Sequence, residues 1–305
     1  MREAFSTALV RLALADPKVL LLTGDHGYAL FDEFRKRCPD QYINAGIAEQ
    51  NMVGMAAGLA RVGFRPFVYG LAAFVPIRTV EQIKLDIAHD NLPVVMLGDG
   101  AGFVYSHLGT SHQSTEDIAC TRAIPGLQVL SPADRFEMTA CMDYAYSSQA
   151  PIYLRMGKSD RGDVHLGPLP SLQSGYLLKV QDGHAYRPCL IATGSMVKAA
   201  IDIGNKLGMT VWSAPMLKPL RTEDVCTAAQ SSRGVVTLEE HSILGGLGAA
   251  VTEILSENLP TRVLRIGVPD QFSAHCGTYD YLLHEHGLDA ETLNTKVSNF
   301  CRGLA

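Results

Sequence analysis

The sequence predicts an α/β protein built as two doubly wound domains with mainly parallel sheets. Three observations lead there. Short apolar runs ending in glycine alternate with longer stretches of helical periodicity. A polar, proline-containing tract interrupts that alternation near the middle, and the alternation restarts after it. The length of 305 residues is about twice a common domain of ~150 residues.

The elements follow in order. Phe5, Leu9, Leu12 and Ala13 share one helical face. Val19 to Gly24 is an apolar run suited to a buried parallel strand. A helix through Phe31, Phe34 and Arg35 must stop by Pro39, and Tyr42-Ile43 is a brief strand. Helical spacing returns from Asn51 to Arg61. Arg65 to Tyr69 reads as a strand, Val80 to Ala88 as a helix, and Pro93 to Leu97 as a strand closed by Gly98-Asp99-Gly100. After the strand Leu127–Leu130, Ser131-Pro132 predicts a helix start with serine as cap, running to about Tyr146. Pro151 to Leu154 is the last strand of this half. Gly157 to Ser174 reads as a linker. The expected domains are therefore 1–160 and 176–305, joined by 161–175. The second half carries strands at Cys189–Ala192, Met209–Trp212, Val235–Leu238 and Val263–Ile266. Ser195 is placed to cap a helix up to Leu207, and Gly245-Gly246-Leu247-Gly248 opens another.

Composition narrows the function. Lys and Arg number 26 against 31 Asp and Glu, a net charge of −5, without the basic excess of a nucleic-acid binder. Hydrophobic residues make up 47% and charged residues 19%, enough to bury two cores. No apolar run reaches the ~18 residues that span a bilayer. The opening MREAFSTALVRLALADPK reads as an amphipathic helix and not as a signal peptide, so a cytoplasmic protein is expected. Seven cysteines, scattered and without CxxC spacing, argue against a zinc site or a disulfide framework.

Two stretches place polar groups where a core would not want them. The first is Ile43 to Ala60. Glu49 opens a helix otherwise made of Met, Ala and Gly, and Gly54, Ala56 and Gly58 allow close approach of another backbone. A first-turn glutamate can simply answer the helix dipole; the small residues around it favour a buried, functional carboxylate. The second is Gly98 to Asp117, a long loop after a strand carrying His107 and His112. Loops of that length at strand ends are commonly functional.

These residues carry a resemblance. GIAEQNMVGMAAGLA, PFVYGLAAF, TSHQSTEDIACTRAIPGLQVLSPAD and PIYLRMGK resemble the pyrimidine-binding domain of transketolases, and the deoxyxylulose-phosphate synthases share the GIAEQ element. LIATGSMVKAAIDI, VVTLEEHSILGGLGAAV and GVPDQF resemble the C-terminal domain of the same family. The family's usual first domain binds the diphosphate of thiamine diphosphate through a metal, by a GDG motif followed by an asparagine. Here Gly98-Asp99-Gly100 lies inside the pyrimidine domain, and no asparagine occurs between Asn91 and Asn205. That GDG is therefore read as a strand-end turn. The chain looks like the C-terminal half of a split transketolase, with Mg²⁺ (or Ca²⁺) held mainly by a partner chain.

The resemblance assigns roles. Glu49 would face pyrimidine N1′ and favour the imino tautomer whose 4′ nitrogen deprotonates the thiazolium carbon. Phe74 would stack on the pyrimidine, with Tyr69 as the second candidate. Asp25, at the end of the first strand, and Ile47, two residues before Glu49, would lie at the cofactor. His112 would contact the reacting end of the substrate, and Arg155 would hold a substrate phosphate. Each has a plainer reading: Phe74 as core, Asp25 as a turn residue, Arg155 as a structural ion pair. Three positions depart from the family. Leu71 stands where a second aromatic is usual. Leu108 replaces the Asp of a DGPTHQ run. Gly100 replaces a phosphate-binding histidine. His107 is a candidate replacement contact. The implied reaction moves a two-carbon ketol unit from a ketose to an aldehyde. The implied assembly is an αββα heterotetramer. The alternatives are a subunit like a deoxyxylulose-phosphate synthase or a 2-oxo acid dehydrogenase β chain, or a silent scaffold.

Overall fold

The computed structural model describes residues 1–158, 160–184 and 186–304; Ser159, in the linker tract, and Ala185 and Ala305 lie outside them. The first half runs α1 (Arg2–Ala15), β1 (Val19–Thr23), α2 (Asp32–Arg37), β2 (Tyr42–Asn44), α3 (Glu49–Arg61) and β3 (Arg65–Leu71). It continues through α4 (Val80–Gln82), which widens into a π-helical turn over Ile83–Ala88, then β4 (Val95–Asp99), α5 (Asp117–Arg122), β5 (Gln128–Leu130), α6 (Arg135–Ser147) and β6 (Ile152–Met156). The second half runs β7 (Leu178–Gln181), β8 (Cys189–Ala192), α7 (Met196–Leu207), β9 (Val211–Ser213), β10 (Met216–Lys218), α8 (Thr222–Gln230) and β11 (Val235–Ser242). It ends with α9 (Leu247–Asn258), β12 (Val263–Val268), α10 (Tyr279–Glu285) and α11 (Ala290–Arg302).

Two α/β sheets result. The seven-stranded sheet has the order β10-β5-β6-β4-β3-β1-β2, and the five-stranded sheet β12-β11-β8-β9-β7. Neighbours are parallel except β10 with β5 and β7 with β9. Every residue of β1, β4 and β6 is buried, as expected of strands covered by helices on both faces. On one face Leu20, Leu22, Val68 and Met96 pack with Met52, Val53 and Ala56 of α3. That cluster continues into Leu217, Val225 and Val251, so one apolar core joins the two halves. On the other face Leu21, Phe67 and Leu97 pack with Phe5, Leu9, Leu12 and Ala13 of α1, the face marked by its periodicity.

Three details differ from expectation. Ser131 does not cap α6: Asp134 does, its side chain accepting the N–H groups of Phe136 and Glu137 at 2.9 Å. Ser131 instead sends its N–H to the Pro215 carbonyl at 2.8 Å, tying β5 to the segment that enters β10. Ser195 precedes α7 but makes no side-chain capping bond; its hydroxyl donates to Glu240. Strand β10, from the second half, completes the first sheet. Among the described residues the linker tract carries neither helix nor strand, yet it is anchored. The N–H groups of Val164 and His165 donate to Asp134 Oδ2 at 2.9 Å. Among the described residues no helix is long and apolar enough to cross a membrane.

Candidate active site

The chain leaves β1 towards β2 on one side and returns past it to β3 on the other, giving the local order β2-β1-β3-β4. Such a reversal opens a crevice at the carboxyl ends of β1 and β3, where doubly wound sheets take their ligands. Four segments meet at that edge: Gly24–Gly27 after β1, the start of α3, the turn after β3, and the loop after β4.

Glu49 is the first residue of α3 and is 4% exposed. Its Oε2 accepts from Arg78 Nη1 at 3.0 Å. Its Oε1 is buried, has no hydrogen-bond partner, and lies 4.0 Å from His26 Nε2. A buried polar atom left unpaired costs free energy, about 1–3 kcal/mol; an orphan carboxylate oxygen at a ligand edge therefore points to a group that completes it. The turn that brings His26 in depends on Gly24. A Cβ there would stand 3.1 Å from the His26 ring and 3.2 Å from the Gly46 carbonyl. Burial pushes the His26 imidazole below its ordinary value, against the pull of the Glu49 carboxylate. Its Nδ1 is also buried without a partner.

Phe74 is half-buried in the turn after β3. Its N–H donates to the Leu71 carbonyl at 2.8 Å, and its own carbonyl accepts from the Arg78 N–H at 3.1 Å. The side chains of Phe74 and Arg78 thus stand one turn apart, with the guanidinium 4.1 Å above the ring. The His112 ring meets Phe74 edge-on, centroids 5.3 Å apart, and His26 stands 6.2 Å away. His112 is half-buried, with Nδ1 2.9 Å from the Ser111 hydroxyl. Its loop is closed at the base by a bridge pairing Gly102 with Ser114. Glu49, Phe74 and His112 therefore converge. His26 and Arg78, which sequence reasoning passed over, belong to the same group. The spacing of Arg78 four residues after Phe74, and His26 just past a strand-end glycine, were the available signals.

The other expected site residues stand outside this cluster, some behind the sheet and some on its rim. Tyr69 is 1% exposed and points to the opposite face of the sheet from Val68, as alternation along β3 requires. Its ring packs on Phe31 at 4.8 Å and its hydroxyl donates to Asp99 at 2.7 Å, so it is not the stacking aromatic. Arg155 is 1% exposed and turned inward, with Nε on Asp117 Oδ2 at 2.7 Å and Nη2 on the Glu240 carbonyl at 2.8 Å. Its Nε and Nη2 are spent inside the protein and the side chain is buried, which favours a structural role over the phosphate-holding one. Asp25 is exposed, in a left-handed conformation at φ 62°, exchanging bonds with Asn44 at 3.2 Å. The Tyr28 hydroxyl, then Asn44, holds its carboxyl below the ordinary range. Ile47 is 78% exposed, and His107 is exposed on the rim. Asp99 of the GDG run is engaged by Arg2, Tyr69 and Tyr105, which accounts for it as a structural turn.

Comparison with known proteins gives this architecture a family. The family model for the transketolase pyrimidine binding domain matches residues 1–162, and that for the transketolase C-terminal domain matches residues 178–293. An apulose-4-phosphate transketolase subunit of Phocaeicola vulgatus is 35% identical over 99% of this chain and 97% of its own. The 6-deoxy-6-sulfo-D-fructose transketolase subunit SqwH of a Clostridium species is 31% identical over 96% and 92%. The chain spans about half the length of deoxyxylulose-phosphate synthases such as that of Chlorobium phaeovibrioides, 36% identical over 99% of this chain and 48% of that one. A solved structure described as a split gene transketolase, inactive beta4 tetramer, superposes with a TM-score of 0.88 at 34% identity, covering 99% of this chain and 98% of that chain. By sequence and by fold, the chain belongs to the transketolase family and carries its pyrimidine-binding and C-terminal domains.

Proposed function

We propose that the chain is the C-terminal subunit of a split transketolase, moving a two-carbon ketol unit from a ketose to an aldehyde with thiamine diphosphate. The observation that carries this reading is the orphan Oε1 of buried Glu49 beside the half-exposed ring of Phe74. A heteroaromatic ring with an edge nitrogen fits that pair: Phe74 offers a face and Glu49 an unsatisfied oxygen. When bound, thiamine diphosphate supplies a carbon nucleophile for a ketose carbonyl.

The chain's own residues do the rest. Glu49 offers its unpartnered Oε1 to the ring edge as the group that shares a hydrogen bond there. Arg78 fixes the carboxyl through Oε2, so that Oε1 is the atom presented. His26 stands 4.0 Å from that same oxygen, within reach of a proton relay after a small rotation. His112, edge-on to Phe74, offers a ring nitrogen to the hydroxyl and carbonyl end of the sugar. His107 on the rim is the candidate contact for the distal part of the sugar, which is probed best with anionic ketoses.

The diphosphate and its Mg²⁺ belong to a partner chain in this reading. The outer face of α3 suits such a contact. Ile47, Asn51 and Val62 line it with Gly54 and Gly58, and a Cβ on either glycine would meet nothing within 4 Å. Met52, Ala56 and Ala60 pack inward on the chain's own sheet instead. An αββα assembly, domains at 1–160 and 176–305, and a cytoplasmic location complete the proposal; seven unpaired cysteines suit a reducing compartment. The relative solved as an inactive beta4 tetramer is in keeping with a chain that needs a partner. The test is to mix this chain with the diphosphate-binding chain, thiamine diphosphate, Mg²⁺ and a panel of ketoses with an aldehyde acceptor. Ketol transfer from at least one ketose is expected. No transfer from any ketose, with both chains folded and associated, would refute it.

A further inference from the structure

We infer that His286, in the second domain, is a positioning residue for the loop that carries His107 and His112. Both ends of that loop converge on this one imidazole. At its start, the buried Phe103 ring stacks on His286, with centroids 4.8 Å apart and planes 16° from parallel. At its end, the Gln113 side chain accepts from the Ser273 hydroxyl at 2.9 Å, and the same hydroxyl oxygen lies 2.9 Å from His286 Nε2. Serine has one proton to give. Spent on Gln113, it leaves the oxygen to accept from Nε2–H of His286, which fixes the imidazole tautomer. Burial lowers the His286 imidazole below its ordinary value, and its Nδ1 is buried without a partner.

A third brace presses on the middle of the loop. Cys276 Sγ lies 3.1 Å from where a Cβ on Gly109 would stand, and Gly109 is held at φ +79°. The Gly109 carbonyl accepts the N–H groups of His112 and Gln113 at 3.0 and 3.2 Å. At the stem, Glu240 accepts the Phe103 N–H at 2.7 Å while taking the hydroxyls of Ser195 and Tyr279. Between residues 103 and 113 the loop owns one short 3₁₀ turn, Ser106–Leu108, and exposes Leu108. It has little core of its own: Tyr105 ties it to Asp99 of the first domain at 3.1 Å, and the second domain supplies the braces at its two ends. Ordering such a segment at the moment of substrate binding would cost backbone conformational entropy; bracing it beforehand removes that cost. The second domain thereby acts on the site without touching the cofactor edge.

The link to substrate rests on the proposed function; the bracing does not. The test uses the full chain with Ser273→Ala, with His286→Phe, which keeps the stack and loses the Nε2 bond, and with Ser273→Thr, which keeps the hydroxyl. Amide hydrogen exchange over residues 103–113 is expected to rise about tenfold in the first two, roughly one hydrogen bond's worth, with α3 and β1 unchanged and the threonine variant near wild type. With the partner chain, thiamine diphosphate affinity should stay within about twofold while the ketose KM rises more than kcat falls. Unchanged exchange over 103–113 in both variants would overturn the bracing. Raised exchange with an unaltered ketose KM would overturn the positioning role. Wild-type chain and partner that bind no thiamine diphosphate would sink the proposed function instead, leaving the exchange result to judge the brace.

Discussion

Removing the Arg155 guanidinium separates a structural from a substrate-binding role. In Arg155→Met the buried Asp117 carboxylate, 0% exposed, loses a 2.7 Å charge-assisted bond and keeps only the Tyr153 hydroxyl at 2.7 Å. The Glu240 carbonyl loses its donor at 2.8 Å as well. Breaking one side of a buried ion pair costs about 3–5 kcal/mol, because the remaining charge stays buried and unpaired. At about 1.36 kcal/mol per decade, that is two to four powers of ten in the folding constant. Urea titration at fixed protein concentration measures it as a lower midpoint at an unchanged slope. The double change Arg155→Met with Asp117→Asn should recover about half or more of the loss, since the stranded charge is gone. A single variant as stable as wild type, with a raised KM confined to phosphorylated ketoses, would refute the structural assignment and restore a phosphate-binding one.

Three further outcomes follow from the same geometry. His165 Nε2 lies 2.8 Å from Glu137 Oε1; burial opposes protonation, but this bond and the Glu137 charge prevail and raise its value above 6.5. Its contribution to stability is therefore complete below about 6.5, its ordinary unfolded value, and is lost as pH rises through the raised folded value. A histidine titration by NMR should show the upward shift, and His165→Gln should flatten the stability profile in that window. Tyr69→Phe removes the bond to Asp99 and should cost about 1–2 kcal/mol of stability with thiamine diphosphate affinity unchanged; a weakened affinity would return Tyr69 to the site. Arg78→Ala frees Glu49 Oε2 and should weaken thiamine diphosphate binding about tenfold by calorimetry, the loss of one charge-assisted bond of about 1.4 kcal/mol, whereas tighter binding would make Arg78 an obstacle instead of a brace.

Much of this was legible in the sequence because parallel strands buried on both faces read as apolar runs, and β1, β4 and β6 did so. The helix opened by Glu49 was legible from the helical spacing of its apolar residues from Asn51 to Arg61. What escaped was pairing set by tertiary contacts. Strand β10 joins the first sheet antiparallel to β5 across a long separation in sequence, and three residues carry no period. The Ser131 cap failed because its N–H had a better partner in Pro215, while Asp134, three residues on, could serve both α6 and the linker. Tyr69 and Phe74 look alike as candidates until strand alternation puts one behind the sheet. Arg155 at a strand end reads as an anion ligand because nothing local reveals Asp117. His26 and Arg78 matter through Glu49 and Phe74, a relation between segments far apart in sequence.

The most direct test of the account is calorimetric titration of thiamine diphosphate with Mg²⁺ into this chain alone, into its mixture with the diphosphate-binding chain, and into the same mixture carrying Glu49→Ala, with ketol transfer assayed in the two mixtures. Saturable binding in the mixture only, with turnover lowered at least about a hundredfold by the substitution and the fold retained, is the expected result. Full-affinity binding by this chain alone, or a Glu49→Ala mixture as active as wild type, would contradict it.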